Sequence, residues 1–109
     1  MNQEILERLR KISERLKKEY HAEKVILYGS YARGEETKDS DVDLFIIAPT
    51  MERFFERMAT VKSVVHDLRW RLPFSPIVLT QAELEERKKV GDQFIEEILQ
   101  ESFNVFWVF

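Results

Sequence analysis

Two aspartates separated by one residue, Asp41 and Asp43, open the apolar run Val42 to Ala48, and the pair Gly29-Ser30 closes an earlier apolar run, Lys24 to Tyr28. Carboxylates at i and i+2 of a strand point to the same face, so Asp41 and Asp43 could together hold one or two divalent cations through hard oxygen atoms. Gly29 allows the backbone to approach a ligand closely or to take a positive φ, and Ser30 can cap a short helix over Tyr31-Ala32-Arg33. Unpaired amides at such a helix start favour an anion, and Arg33 offers a further counter-charge. In outline this is a site for a metal ion and phosphate. Each part also has an ordinary reading. Asp41 and Asp43 could be strand-entry residues, Gly29-Ser30 a plain turn, and Arg33-Gly34 a solvated loop. It is the combination at one spacing that points to chemistry.

The elements that must position these residues follow from periodicity. Ile5, Leu9, Ile12, Leu16 and Tyr20 recur at three- and four-residue steps, which predicts a one-sided helix from Gln3 to about Tyr20. Lys24 to Tyr28 reads as a buried strand, and the polar stretch Gly34 to Ser40 as a loop leading into a second strand, Asp41 to Ala48. On that strand Asp41, Asp43, Phe45 and Ile47 should share one face, and Val42, Leu44, Ile46 and Ala48 the other. Pro49 ends it. Thr50 is the expected cap of a crossover helix with Met51, Phe54, Phe55, Met58, Val61, Val65 and Leu68 inward, running to about Trp70. Pro76 to Leu79 reads as a third strand in the same sheet. Thr80 and Glu83 have capping-box spacing for a short charged helix closed by Gly91. Asp92 then caps a last helix with Phe94, Ile95, Ile98 and Leu99 inward.

Length and composition bound the remaining possibilities. A chain of 109 residues with 44% hydrophobic and 34% charged residues fits one domain, residues 1–109, with a core and a solvated surface. Seventeen basic against twenty acidic residues give a formal charge of −3, which argues against a generic electrostatic grip on nucleic acid or anionic lipid. The chain has no cysteine, which excludes a disulfide framework, a thiolate nucleophile and a zinc knuckle. No apolar run approaches membrane-spanning length and the first residues lack the apolar core of a signal peptide, so the expected location is cytoplasmic. His21 and His66 do not pair by pattern, and Tyr31 and Trp70 could stack on a base but read first as core or rim packing. Arg87 to Lys89 read as a solvated face offset by Glu83, Glu85 and Glu86. The tail 102–109 holds three of the eight Phe plus Trp107, and is expected to form an edge strand or an interface, including one between copies of the chain.

Gly29-Ser30, Ala32-Arg33-Gly34 and Ser40-Asp41-x-Asp43-Leu44 together resemble the signature of the DNA polymerase β-like nucleotidyltransferase superfamily. The likeness is closest to its short single-domain members, the minimal nucleotidyltransferases. It implies an α/β (α+β) fold, a small mixed sheet of three or four strands flanked by helices. It further implies transfer of a nucleoside monophosphate, AMP from ATP, to a hydroxyl of a partner, with pyrophosphate released. Asp41 and Asp43 would be the catalytic residues and the magnesium ligands, and Gly29, Ser30 and Arg33 would bind the nucleotide. Members of this kind resemble antitoxins that pair with a separate helical toxin of the HEPN family and modify a tyrosine on it. In such a family a third carboxylate stands on the third strand; here the matching position is Ser75, and no acid lies between Asp67 and Glu83. A serine is a poor base, and losing a general base costs about 10² to 10⁴ in rate. Asp67 or Glu83 could substitute only by folding in. The alternative is a nucleotide-binding subunit, weak or inactive as a catalyst, that neutralises its partner by binding it.

Overall fold

The computed structural model describes residues 2–101; the apolar tail 102–109 lies outside them. Helix α1 spans Gln3–Glu19, started by Asn2, whose Oδ1 accepts the Ile5 amide at 2.8 Å. Asn at this position satisfies one of the free amides of the first turn. Leu9, Ile12 and Leu16 are buried, as their spacing predicts, and Tyr20 is the C-terminal cap. Strand β1 is Lys24–Tyr28, the single-turn helix α2 is Ser30–Arg33, and strand β2 is Val42–Ile47. Helix α3, Phe54–Val64, crosses over to strand β3, Phe74–Leu79, after a 3-10 turn at His66–Leu68. Helices α4, Gln81–Lys89, and α5, Gln93–Glu101, follow.

The sheet has the order β1-β2-β3, with β1 antiparallel and β3 parallel to the central β2. A parallel partner needs a crossover, and α3 supplies it. Among the described residues this is the small mixed sheet flanked by helices that the sequence predicts, with three strands.

Alternation along β2 divides the core in two. Val42, Leu44, Ile46 and the following Ala48 pack with Leu9, Ile12 and Leu16 of α1 and with Val61 and Val65. Phe45 and Ile47 pack on the opposite face with Ile26, Leu79, Leu84, Ile95 and Ile98. The sheet therefore lies between α1 and α3 on one side and α4 and α5 on the other, each layer burying one apolar face.

Strand β3 starts at Phe74, two residues before the expected Pro76. Pro73 and Leu79 offer their carbonyls to Val42 and Ala48 of the β2 segment, at 2.7 and 3.1 Å. By alternation the Pro76 nitrogen faces the open edge, where a missing donor costs no ladder bond.

The crossover helix departs from its expected form. Thr50 does not cap it; its hydroxyl accepts the Glu52 amide at 3.1 Å, and Glu56 Oε1 accepts the Arg53 amide at 2.9 Å where the helix begins. Met51 and Phe55 are 102% and 81% exposed, while Arg57 is buried at 6%. The Arg57 guanidinium donates to Glu83 Oε1 and Oε2 at 2.7 and 3.1 Å, to the Val78 carbonyl at 3.1 Å and to the Glu52 carbonyl at 3.0 Å. A charge can occupy the interior when its donors are satisfied in this way. Val61 and Val65 of the expected stripe do face the core, and the Arg57 pairing joins them there while Met51 and Phe55 at the start of the segment stay outside.

The C-terminal helices follow their expected caps. Thr80 Oγ1 accepts the Glu83 amide at 3.2 Å while Glu83 Oε1 accepts the Thr80 amide at 2.7 Å. Gly91, at φ 72°, ends the α4 segment, and Asp92 Oδ1 accepts the Phe94 amide at 3.0 Å to start α5.

Candidate functional site

Gly29 ends β1 with φ 78° and ψ −155°, a conformation that side chains rarely adopt. A Cβ placed on it would overlap Oδ2 of Asp43 and stand 3.2 Å from Asp43 Cγ. The turn backbone is thus pressed against the carboxylate, and only glycine fits. Gly29 is itself the N-cap of α2; Ser30, expected as the cap, is the first residue of the helix. Helical backbone therefore begins at Ser30, one residue earlier than expected, while Gly29 holds the positive φ. Arg33 lies at the other end of α2, where it pairs with Glu35 at 2.5 Å.

Asp43 sits within β2 and is half-buried, while Asp41 immediately precedes the strand and is exposed. Cross-strand register puts Asp43 opposite Tyr28 of β1 and opposite Ser75 of β3. Residues level with each other across a sheet project to the same face. Tyr28, Asp43 and Ser75 therefore form one row on the side of α4 and α5, and the next row inward, Ile26, Phe45 and Ile77, is already part of the apolar cluster there.

Neither acid that could have replaced the third carboxylate joins this row. Asp67 is paired with Arg15 of α1 at 2.8 Å, which holds its carboxyl below the usual range. Glu83 is held by Arg57 at the other end of β3, and that hydrogen-bonded ion pair brings its carboxyl down to about 2. Among the described residues, no group of three or more His, Cys, Asp and Glu side chains is arranged to hold a metal. The pair Asp41 and Asp43 still suits magnesium by donor chemistry, since that ion keeps several waters and takes one or two carboxylates alongside substrate phosphates. The absence of a Cβ at position 29 lets the turn backbone and the Asp43 carboxylate meet at one point.

One feature of the site was missed in the sequence. Phe94, assigned to the inward face of α5, is 44% exposed and meets Tyr28 edge to face, with ring centroids 5.9 Å apart. It opens the helical pattern that Ile95 and Ile98 continue, so periodicity alone counts it as core. Trp70 is exposed, with the Arg71 guanidinium 4.5 Å from its ring centre, and Tyr31 is half-buried against the α1 layer. A shallow depression of about 530 Å³ lies at the far end of the sheet, lined by Glu23, Thr50, Met51 and Thr80 among others, and holds none of the expected site residues. Among the described residues no helix is long and apolar enough to cross a membrane.

The model of the nucleotidyltransferase domain family matches residues 9–104. Three proteins of Methanocaldococcus jannaschii carrying the name "putative protein adenylyltransferase" are similar. One is 33% identical over 77 residues, covering 70% of this chain and 71% of that protein. A second is 49% identical over 43 residues, 39% of this chain and 43% of its own length, and a third 43% identical over 56 residues, 49% and 65%. A crystal structure from Sulfolobus solfataricus, described as that of a "putative nucleotidyltransferase", superposes with a TM-score of 0.57 at 26% identity, covering 74% of this chain and 71% of that one. The match spans both strands of the Gly29 and Asp43 contact, and the chain belongs to the nucleotidyltransferase domain family.

Proposed function

We propose that this chain transfers AMP from ATP to a hydroxyl on a partner protein. The observation that carries the reading is the seating of Gly29 against the Asp43 carboxylate, which brings the Gly-Ser turn and an acidic side chain suited to a metal to one point. The names of the M. jannaschii relatives agree with an adenylyl donor and a protein acceptor.

In this reading the acceptor oxygen attacks the α-phosphorus, the bond to the bridging oxygen of the β-phosphate breaks, and pyrophosphate leaves with the electron pair. Magnesium held by Asp41 and Asp43 would neutralise charge on the phosphate oxygens. Gly29 and Ser30 receive the β- and γ-phosphates through backbone amides and a hydroxyl. Arg33 supplies a counter-charge by exchanging Glu35 for phosphate. No carboxylate stands beside Asp43 on β3, so the acceptor proton passes to water and turnover is slow.

The partner proposed is a separate helical protein of the HEPN family with a tyrosine acceptor, the two forming a toxin and antitoxin pair in the cytoplasm. The tail 102–109 is proposed as an interface, with the partner or between copies of the chain. A second reading, neutralisation by binding without transfer, is favoured by Ser75 at the position level with Asp43.

The test incubates the chain and its co-purifying partner with magnesium and ATP labelled at the α-phosphate, beside the double variant Asp41→Asn/Asp43→Asn. Label should reach the partner with the wild-type chain and not with the variant. A partner bound and neutralised but never labelled establishes the second reading. Equal labelling by the variant shows the site assignment to be wrong.

A further inference from the structure

The row Tyr28, Asp43, Ser75 is the last on its sheet face before the loops at the site end, and the first turn of α5 borders it. The ring that α5 places there is Phe94. Its position is fixed from two sides: Gly91 reverses the chain at φ 72°, and Asp92 Oδ1 accepts the amides of both Phe94 and Ile95, at 3.0 and 3.3 Å. Arg87 holds the other oxygen of Asp92 at 3.0 Å. Tyr28 backs the ring edge to face, at an interplanar angle of 84°, and 44% of Phe94 remains open to solvent. A large apolar side chain held in this way and left 44% open on the sheet face that carries Asp43 is unusual for core packing.

We infer that Phe94 is the stacking surface for the adenine base of the nucleotide, a subsite within the nucleotide site proposed above and resting on that reading. Asp43 and Tyr28 are level on one face, so Phe94 lies on the side toward which the Asp43 carboxylate projects. The other strongly exposed rings of the described residues lie elsewhere. Phe54 and Phe55 are at the start of α3, which follows the opposite end of β2. Trp70 is on the α1 side, where Arg8 donates to its carbonyl at 2.6 Å. A purine presents a flat face wide enough to cover Phe94, and base stacking on an aromatic side chain tolerates any base. The subsite therefore adds affinity for a nucleotide over bare phosphate with only modest choice among bases.

The experiment is calorimetric titration of the wild-type chain, Phe94→Ala, Phe94→Leu and Phe94→Trp with ATP and, separately, inorganic tripolyphosphate, all with magnesium. Phe94→Ala should weaken ATP about tenfold and leave tripolyphosphate unchanged, with Phe94→Trp retaining ATP affinity. Phe94→Leu keeps an apolar side chain without a ring, so it reports on stacking even if Phe94→Ala proves unstable; it should behave as Phe94→Ala does. Unchanged ATP affinity in both ring-less variants overturns the inference. Equal loss of ATP and tripolyphosphate also overturns it, because the ring then merely supports the site. So does a raised KM for the protein acceptor at unchanged ATP affinity, which would give the ring to the acceptor. If the wild-type chain binds neither ligand, the nucleotide site itself is wrong and the subsite falls with it.

Discussion

Asp43 and Ser75 are register partners across the parallel β2–β3 ladder, a carboxylate and a hydroxyl side by side on one sheet face. A carboxylate at position 75 would project beside Asp43 without any change of backbone. Ser75→Asp should raise the rate of AMP transfer about 10²-fold, the lower end of what a positioned base contributes. In chelator the added charge beside Asp43 should lower the melting temperature, and magnesium should restore it. Single-turnover labelling with and without the substitution, and melting in the two conditions, check both effects.

Gly29→Ala should cost stability and function together. The alanine must hold a φ near 78° and its methyl meets the Asp43 carboxylate, so either the turn or the aspartate moves. A loss of about 1 to 3 kcal/mol in urea unfolding is expected. Affinity for magnesium with ATP should fall at the same time. By contrast Gly34→Ala, at φ 71° but with open space around the new methyl, should show strain in unfolding and leave magnesium binding intact.

Arg57→Met removes a buried guanidinium from Glu83 and from the carbonyls of Val78 and Glu52. Breaking a buried pair costs about 3 to 5 kcal/mol, and the lower figure applies because the Glu83 side chain, 43% exposed, can rehydrate. Urea unfolding at neutral pH should show the loss. The pair sits at the end of β3 away from Ser75, so nucleotide affinity should change little.

Glu83 also sets an acid limit. Its carboxyl titrates at about 2 in the folded chain against an ordinary 4.5, so the unfolded chain binds the proton more tightly. The stabilisation is complete above 4.5 and is lost as the pH falls from there toward 2. Glu83→Gln keeps an oxygen for the Thr80 amide but carries no charge. The melting temperatures of the wild-type chain and this variant should converge across that window; a constant gap would assign the effect elsewhere.

Much of this arrangement was legible in the chain. The apolar period of α1, the alternation that separates Phe45 and Ile47 from Leu44 and Ile46, and the caps at Thr80 and Asp92 are local signals, and the structure carries them. The start of the α3 segment was misread, while Val61 and Val65 do pack inward, because periodicity treats every large hydrophobe alike. It cannot anticipate that an arginine will be buried by a glutamate 26 residues later, leaving Met51 and Phe55 outside. Position 29 was read as permissive, but the tight contact with Asp43 depends on cross-strand packing, and no spacing reveals it. The same holds for Phe94, whose neighbour Tyr28 lies on another element.

Gly29 and Asp43 belong to one antiparallel unit, β1 with β2, whereas Ser75 arrives on an edge strand at the end of a helical crossover. In the proposed reading, the grip on the nucleotide and the group that would speed its chemistry are therefore carried by separate parts of the scaffold. On that reading a chain built this way can drift between catalyst and receptor by exchanging one side chain, while the turn at Gly29 keeps its shape.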